Sequence, residues 1–105
     1  MKVLKKSYKD YALTMKALSD ETRVKIFSIL AQGELCACHI LEDLSITQPT
    51  LSYHMKILRE AGLIHSRRDG VWTRYSIHKE TLEDIKQFFH YISETMDYKK
   101  DHHNK

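Results

Sequence analysis

A chain of 105 residues is long enough for one domain and too short for a generous hydrophobic core, so extra burial in a dimer would help it. With 42% hydrophobic and 30% charged residues it has an ordinary globular composition, and a formal net charge of +3 does not by itself announce nucleic acid. The chain has no apolar run of membrane-spanning length and its start, MKVLKKSYKDY, has no secretory hydrophobic region, which argues against a membrane role and gives the cytoplasm as the expected location.

Residues 8–18 carry Tyr8, Tyr11, Ala12, Met15 and Leu18 at roughly helical spacing, flanked by lysines. This predicts an amphipathic first helix whose apolar face packs on the domain or on a partner. Ser19-Asp20 is a capping signal for a second helix. There Val24, Phe27 and Leu30 fall three apart on one face, Ile26 and Ile29 widen it, and Gly33 ends it.

Two short helical patterns follow within residues 34–64. Leu35, Ile40, Leu41 and Leu44 are the apolar positions of the first, and Cys36 and Cys38 stand at its start. Ser45-Ile46-Thr47 is the length of a tight turn, Thr47 is a suitable N-cap, and Gln48-Pro49 fits a first helical turn. Leu51, Met55 and Leu58, broadened by Ile57, then form an apolar stripe, and Gly62 closes the helix. Helix, short turn, helix is the helix-turn-helix shape, whose second helix can enter a DNA major groove. The outward face of that helix, Thr47, Gln48, Thr50, Ser52, Tyr53 and His54 with Lys56 beyond, offers hydrogen-bonding groups and no acid before Glu60. Such groups read base edges, and a carboxylate there would repel phosphate. The competing reading is an ordinary polar surface.

Ile64 to Arg68 and Val71 to Ile77 are β-prone runs separated by Asp69-Gly70, a strong hairpin signal if both turn positions take positive φ. After a helix-turn-helix such a hairpin is a wing, and Arg67, Arg68 and Arg74 are candidates for phosphate or minor-groove contact. Thr81 can cap a last helix running to about Asp97, with Leu82, Ile85, Phe89, Ile92 and Met96 as its seam and Phe88 added to it. With the first helix, this seam is the expected dimer interface. The polar tail, about 98–105, is expected to fray. The expected architecture is therefore a single domain over 1–105, mainly α with a small β-hairpin.

The two cysteines bear a separate chemistry. Thiolates are soft ligands that favour As(III), Cd(II), Pb(II), Zn(II) or Cu(I) over hard cations. Residues two apart diverge within a helix and share a side in extended backbone, so Cys36 and Cys38 converge most easily where the helix start is unwound.

The chain resembles the ArsR/SmtB family of winged-helix metalloregulators, particularly its arsenical and cadmium/lead branch. The resemblance runs from Ala17-Leu18-Ser19-Asp20-Glu21-Thr22-Arg23 through the last helix. Glu34-Leu35-Cys36-Ala37-Cys38 looks like that branch's ELCxC motif, and Gln48-Pro49-Thr50-Leu51-Ser52-Tyr53-His54 and Arg59-Glu60-Ala61-Gly62-Leu63-Ile64 resemble its recognition helix and exit. The resemblance implies a homodimeric repressor that binds an imperfect inverted repeat in double-stranded operator DNA and is released by an ion at Cys36 and Cys38. As(III) is the first choice, with Sb(III), Cd(II), Pb(II) and Zn(II) as alternatives. The chain departs from the family pattern where the third cysteine of arsenical repressors falls, since Leu41 stands there, and its N-terminus offers no cysteine. A third ligand is thus a small thiol, a water or His39, the last read first as a capping or surface histidine. The family's last-helix site would fall on Lys79, Thr81, Ile92 and Thr95, poor zinc ligands. A thiol-redox sensor, a thiol enzyme and a protein-interaction module are the remaining alternatives.

Overall fold

The computed structural model describes residues 4–102, with side chains through Lys99. The first helix, α1 (Tyr8–Ala17), opens on a capping box: the Asp10 N–H donates to Ser7 Oγ at 3.1 Å and the Ser7 N–H to Asp10 Oδ2 at 3.4 Å. Its buried positions are Tyr11, Thr14 and Ala17, while Tyr8 and Ala12 face solvent. The second helix, α2 (Glu21–Ile29), is capped by Asp20, whose carboxylate accepts from the Arg23 N–H at 3.1 Å. Its buried residue is Ile26, continued by Leu30 in the short 3-10 segment Leu30–Gln32, whereas Val24 is 51% exposed. Of the expected seam, Leu30 lies in the core with Ile26 and Phe27 packs against it, whereas Val24 is corrected to an exposed position: each step of three turns back about 60°, which leaves Val24 about 120° around the helix from Leu30.

After Gly33 (φ 120) the chain becomes extended as β1 (Leu35–Cys36), then turns into α3 (Ala37–Glu42). The sequence placed Leu35 and both cysteines in a helix; the structure gives Leu35 and Cys36 to a strand. The recognition-type helix α4 (Gln48–Glu60) starts where expected, with Thr47 as N-cap and Pro49 in the first turn. Leu51, Met55 and Leu58 are at most 1% exposed. It closes with two bonds, Gly62 N–H to Arg59 O at 2.9 Å and Leu63 N–H to Leu58 O at 3.0 Å, with Gly62 at φ 76. That pairing is the Schellman closure, and the positive φ is what a glycine there supplies.

The wing consists of β2 (Ile64–Asp69) and β3 (Trp72–Ile77). Asp69 pairs with Trp72, so the turn centres on Gly70 and Val71 rather than on Asp69 and Gly70. Gly70 has φ 67 and no described non-glycine residue has positive φ, so only the first central position is left-handed, the pattern of a type II′ turn. The hairpin gains a third strand: β1 pairs antiparallel with β3, Leu35 opposite Tyr75 and Cys36 opposite Arg74, in the order β1-β3-β2.

The last helix, α5 (Lys79–His102), begins two residues before Thr81 and continues through residues 98–102, which the sequence assigned to a frayed tail; 103–105 lie outside the described residues. Phe88 stacks on Tyr11 with centroids 4.7 Å apart, tying α5 to α1. Phe89, Ile92 and Met96 are 54%, 37% and 66% exposed. The core itself lies between α2, α3, α4 and the start of the sheet, where Ile26, Leu30, Ile40, Leu51, Met55, Leu58, Leu63 and Ile64 cluster.

Candidate metal centre and nucleic-acid interface

Cys36 is both the last residue of β1 and the N-cap of α3, with extended backbone (φ −71, ψ 148). Cys38 is already helical. This change of backbone at Cys36 lets residues two apart face one another, as the CxC requires. The Cys38 N–H donates to Cys36 Sγ at 3.1 Å, the Cα atoms are 5.2 Å apart, and the two sulfurs are joined as a disulfide. Two-electron reduction returns them as thiols facing the same point. Cys36 is 3% exposed, Cys38 half-buried and His39 exposed, so the cluster runs from the core outward. One ligand atom from each of Cys36, Cys38 and His39 lies within 4.8 Å of the others. Two thiolates and an imidazole are a donor set suited to a thiophilic ion. Leu41, at the position of the missing third cysteine, packs against the core. On α5, His90 Nε2 and Glu94 Oε2 form an exposed pair at 3.1 Å, four residues apart.

The outward face of α4 carries Gln48, Thr50, Ser52, Tyr53 and Lys56, all exposed, Tyr53 by 60%. Thr47 is exposed too; its hydroxyl accepts from the Thr50 N–H at 3.3 Å and donates to Thr50 Oγ1 at 3.0 Å. His54 departs from the expected outward placement. It is half-buried, with Nδ1 3.1 Å from Arg23 Nη1, while Arg23 Nε donates to Ala17 O at 2.7 Å. A guanidinium can only donate, so in this contact His54 Nδ1 is the acceptor. Arg23 thereby ties the end of α1 and the body of α2 to the reading helix. In the sequence Arg23 stands only as part of a motif, and nothing local in the chain points to His54, 31 residues away.

The wing arginines have three different environments. Arg67 donates from Nε and Nη2 to the two oxygens of Glu34, both at 2.7 Å. Arg74 donates from Nε to Asp69 Oδ2 at 2.8 Å. Arg68 is exposed and makes no side-chain hydrogen bond or ion pair among the described residues. The carboxyl of Glu34 is held below its ordinary pKa, first by the hydrogen bonds from Arg67, and that of Asp69 likewise by Arg74. Asp20 is lowered by the Arg23 backbone N–H it caps, and burial raises Tyr75. In the sequence Glu34 is only the first letter of the cysteine motif; the β1–β3 pairing is what brings it to the wing.

A capped helix pair with a polar outward face, followed by a basic hairpin, defines a winged helix-turn-helix regulator. The family model described as bacterial regulatory protein, arsR family, matches residues 20–66. An arsenical resistance operon repressor of Staphylococcus aureus is 42% identical over 83% of this chain and 84% of its own length. A cadmium resistance transcriptional regulatory protein CadC homolog from the same species is 37% identical over 77% of this chain and 69% of its own. Among solved structures, the homodimeric winged helix-turn-helix DNA-binding domain of a possible ArsR-family regulator from Mycobacterium bovis matches with a TM-score of 0.65 and 28% identity, over 92% of this chain and 86% of that one. The chain belongs to the ArsR family and is a transcriptional repressor of that family, not a thiol enzyme. No helix among the described residues is long and apolar enough to cross a membrane.

Proposed function

We propose that the chain is a homodimeric metal(loid)-responsive repressor that binds operator DNA and leaves it when a thiophilic ion, As(III) first among them, occupies Cys36 and Cys38. The observation that carries this reading is the position of Cys36, at once the end of β1 and the cap of α3. Cys36 and Cys38 would hold the ion, which supplies strong bonds to soft sulfur. Everything downstream is done by the chain. A shift of Cys36 moves β3 through its pairing with Arg74, and it moves α3, which packs against α4 within the core. The wing and the reading helix are thus the two-state elements that the thiol site biases.

On DNA, Gln48, Thr50, Ser52 and Tyr53 are positioned to meet base edges, with Thr47 holding the helix start and Lys56, Arg67, Arg68 and Arg74 meeting phosphates; His54 acts as the brace behind them. Dimerisation through α1 and α5 is supported by their uncovered apolar residues, among them Leu13, Phe89 and Met96, and by the homodimeric relative. Two copies would set reading helices about 34 Å apart on an imperfect inverted repeat. A reducing cytoplasm, where both cysteines persist as thiols, is the compartment this chemistry needs.

The test is fluorescence anisotropy on DNA from the protein's own promoter, titrated with As(III) and separately with Cd(II). Release by As(III) that vanishes in Cys36→Ser/Cys38→Ser supports the reading; release by Cd(II) alone moves the sensor to the cadmium/lead branch. Unchanged release in the double variant removes the thiol switch. The Cys36–Cys38 bond favours one second reading, a redox sensor: the two thiols lose two electrons and two protons to a peroxide, which becomes water or alcohol plus water. Release by peroxide, reversed by reductant and unaffected by metal, would select it.

A further inference from the structure

We propose that His39 is the third ligand of the thiol site, making Cys36, Cys38 and His39 a two-sulfur, one-nitrogen centre for a thiophilic divalent cation of the Cd(II) or Zn(II) type. This rests on the reading of Cys36 and Cys38 as the sensing pair. It adds a ligand and an ion class that the pair alone does not specify. Three features converge on it. The donor atoms of all three residues lie within 4.8 Å of one another. In a tetrahedral zinc site with ordinary bond lengths the sulfur–sulfur and sulfur–nitrogen edges are roughly 3.6 to 3.8 Å. Once reduced, the two sulfurs part to that edge, and a side-chain adjustment of about an ångström brings the imidazole to it. His39 is also uncommitted: neither ring nitrogen has a hydrogen-bond or ion-pair partner among the described residues, so a lone pair is available. Finally, the alternative within the same turn is blocked, because Leu41 has no donor and is packed on the core.

The ligand set makes a prediction about selectivity. Imidazole is a good ligand for borderline divalent ions, whereas arsenic is drawn chiefly to sulfur, so the third position should matter for Cd(II) and hardly at all for As(III). Burial decreases from Cys36 to Cys38 to His39, which leaves His39 on the solvent side and the fourth position open to water. Loss of His39 should accordingly weaken divalent binding without exposing the core.

The experiment uses the full chain, reduced with a phosphine under argon, with Cd(II) titrated against a competing chelator. The readouts are sulfur-to-cadmium charge-transfer absorbance and the nitrogen-15 spectrum of the histidine rings. In the native chain, one Cd(II) per chain should develop the charge-transfer band and shift one ring nitrogen of His39. His39→Ala should keep the band and lose Cd(II) affinity by about tenfold or more, since even outer-shell partners of metal ligands cost that much. Its As(III) affinity should stay within a factor of about two, and His39→Cys should restore Cd(II) binding. An unmoved His39 resonance, equal Cd(II) affinity in His39→Ala, or equal losses for both ions would each overturn the assignment while leaving the thiol pair in place. Full Cd(II) affinity in Cys36→Ser/Cys38→Ser would instead overturn the thiol reading beneath it.

Discussion

Glu34 holds Arg67 through two parallel hydrogen bonds of 2.7 Å, linking the residue just before β1 to the middle of the wing strand β2. The same two segments are connected through β3, since Cys36 lies opposite Arg74 and Arg67 lies opposite Arg74. An arginine clamped in this way cannot also give both donors to a phosphate. Glu34→Gln should release it, tightening operator binding several-fold and steepening the logarithmic salt dependence by about one phosphate contact. Anisotropy titrations across a salt series decide this; an unchanged slope would mean that Arg67 does not reach DNA.

Acid should open the same clamp. Glu34 is held below its ordinary pKa by Arg67, so it binds protons less readily in the folded chain than in the unfolded one. Its contribution is fully present above the unfolded carboxylate pKa and is lost as pH falls through the lower folded value. Carbon-13 titration of the Glu34 carboxyl should give a midpoint below that of an exposed glutamate, returning to the ordinary value in Arg67→Ala.

Much of this fold was legible in the chain because it depends on short-range patterns. Leu51, Met55 and Leu58 repeat at the helical period and are all buried, and the caps at Asp20 and Thr47 fall where their side chains can reach the next turn. β1 was not legible. Two residues cannot display a strand period, and Cys36 is extended because β3 lies beside it. The Glu34–Arg67 and Arg23–His54 contacts span 33 and 31 residues, distances at which a single sequence carries no pairing signal. The thiol pair lies between these cases: its chemistry is plain from residue type, its convergence depends on an extended Cys36, and the neighbouring His39 looks in the sequence like any surface histidine.

The reading helix should separate affinity from sequence choice. Gln48→Ala should cost about 1–3 kcal/mol against the preferred operator and relax discrimination at one base pair, as loss of a base contact does. Arg68→Ala, at an exposed arginine without a partner, should instead weaken all sequences alike and lower the salt slope by about one. Binding to operator and scrambled duplexes at several salt concentrations distinguishes the two. Uniform losses for Gln48→Ala would reassign it to the backbone.

Phe89 lies 54% exposed on α5, a cost that a second copy would remove. Phe89→Glu should yield monomers in sedimentation equilibrium and lower operator affinity by about 100-fold or more, the avidity of two joined readers. The helix content of such monomers should persist, because the core residues Ile26, Leu58 and Leu63 belong to one chain. A native-like dimer in this variant would place the interface elsewhere.

Leu58 is fully buried at the end of α4. Truncation to alanine should cost about 2–5 kcal/mol in urea unfolding, whereas Thr47→Ala, which removes only the cap, should cost about 1 kcal/mol. A small loss at Leu58 would show that the exit of the reading helix can collapse around the gap.

Cys36, Cys38 and His39 fall within a span of four residues, so unfolding does not scatter them. An ion held by residues far apart in sequence binds only the native chain and raises its melting temperature; at a hundredfold excess over Kd that linkage is worth about 2.7 kcal/mol. A local trio keeps much of its grip on the unfolded chain, and that part of the stabilisation cancels. Occupancy of this site should therefore alter which shape the folded repressor prefers while adding little to its resistance to heat. An ion bound there would be a message, and hardly a rivet.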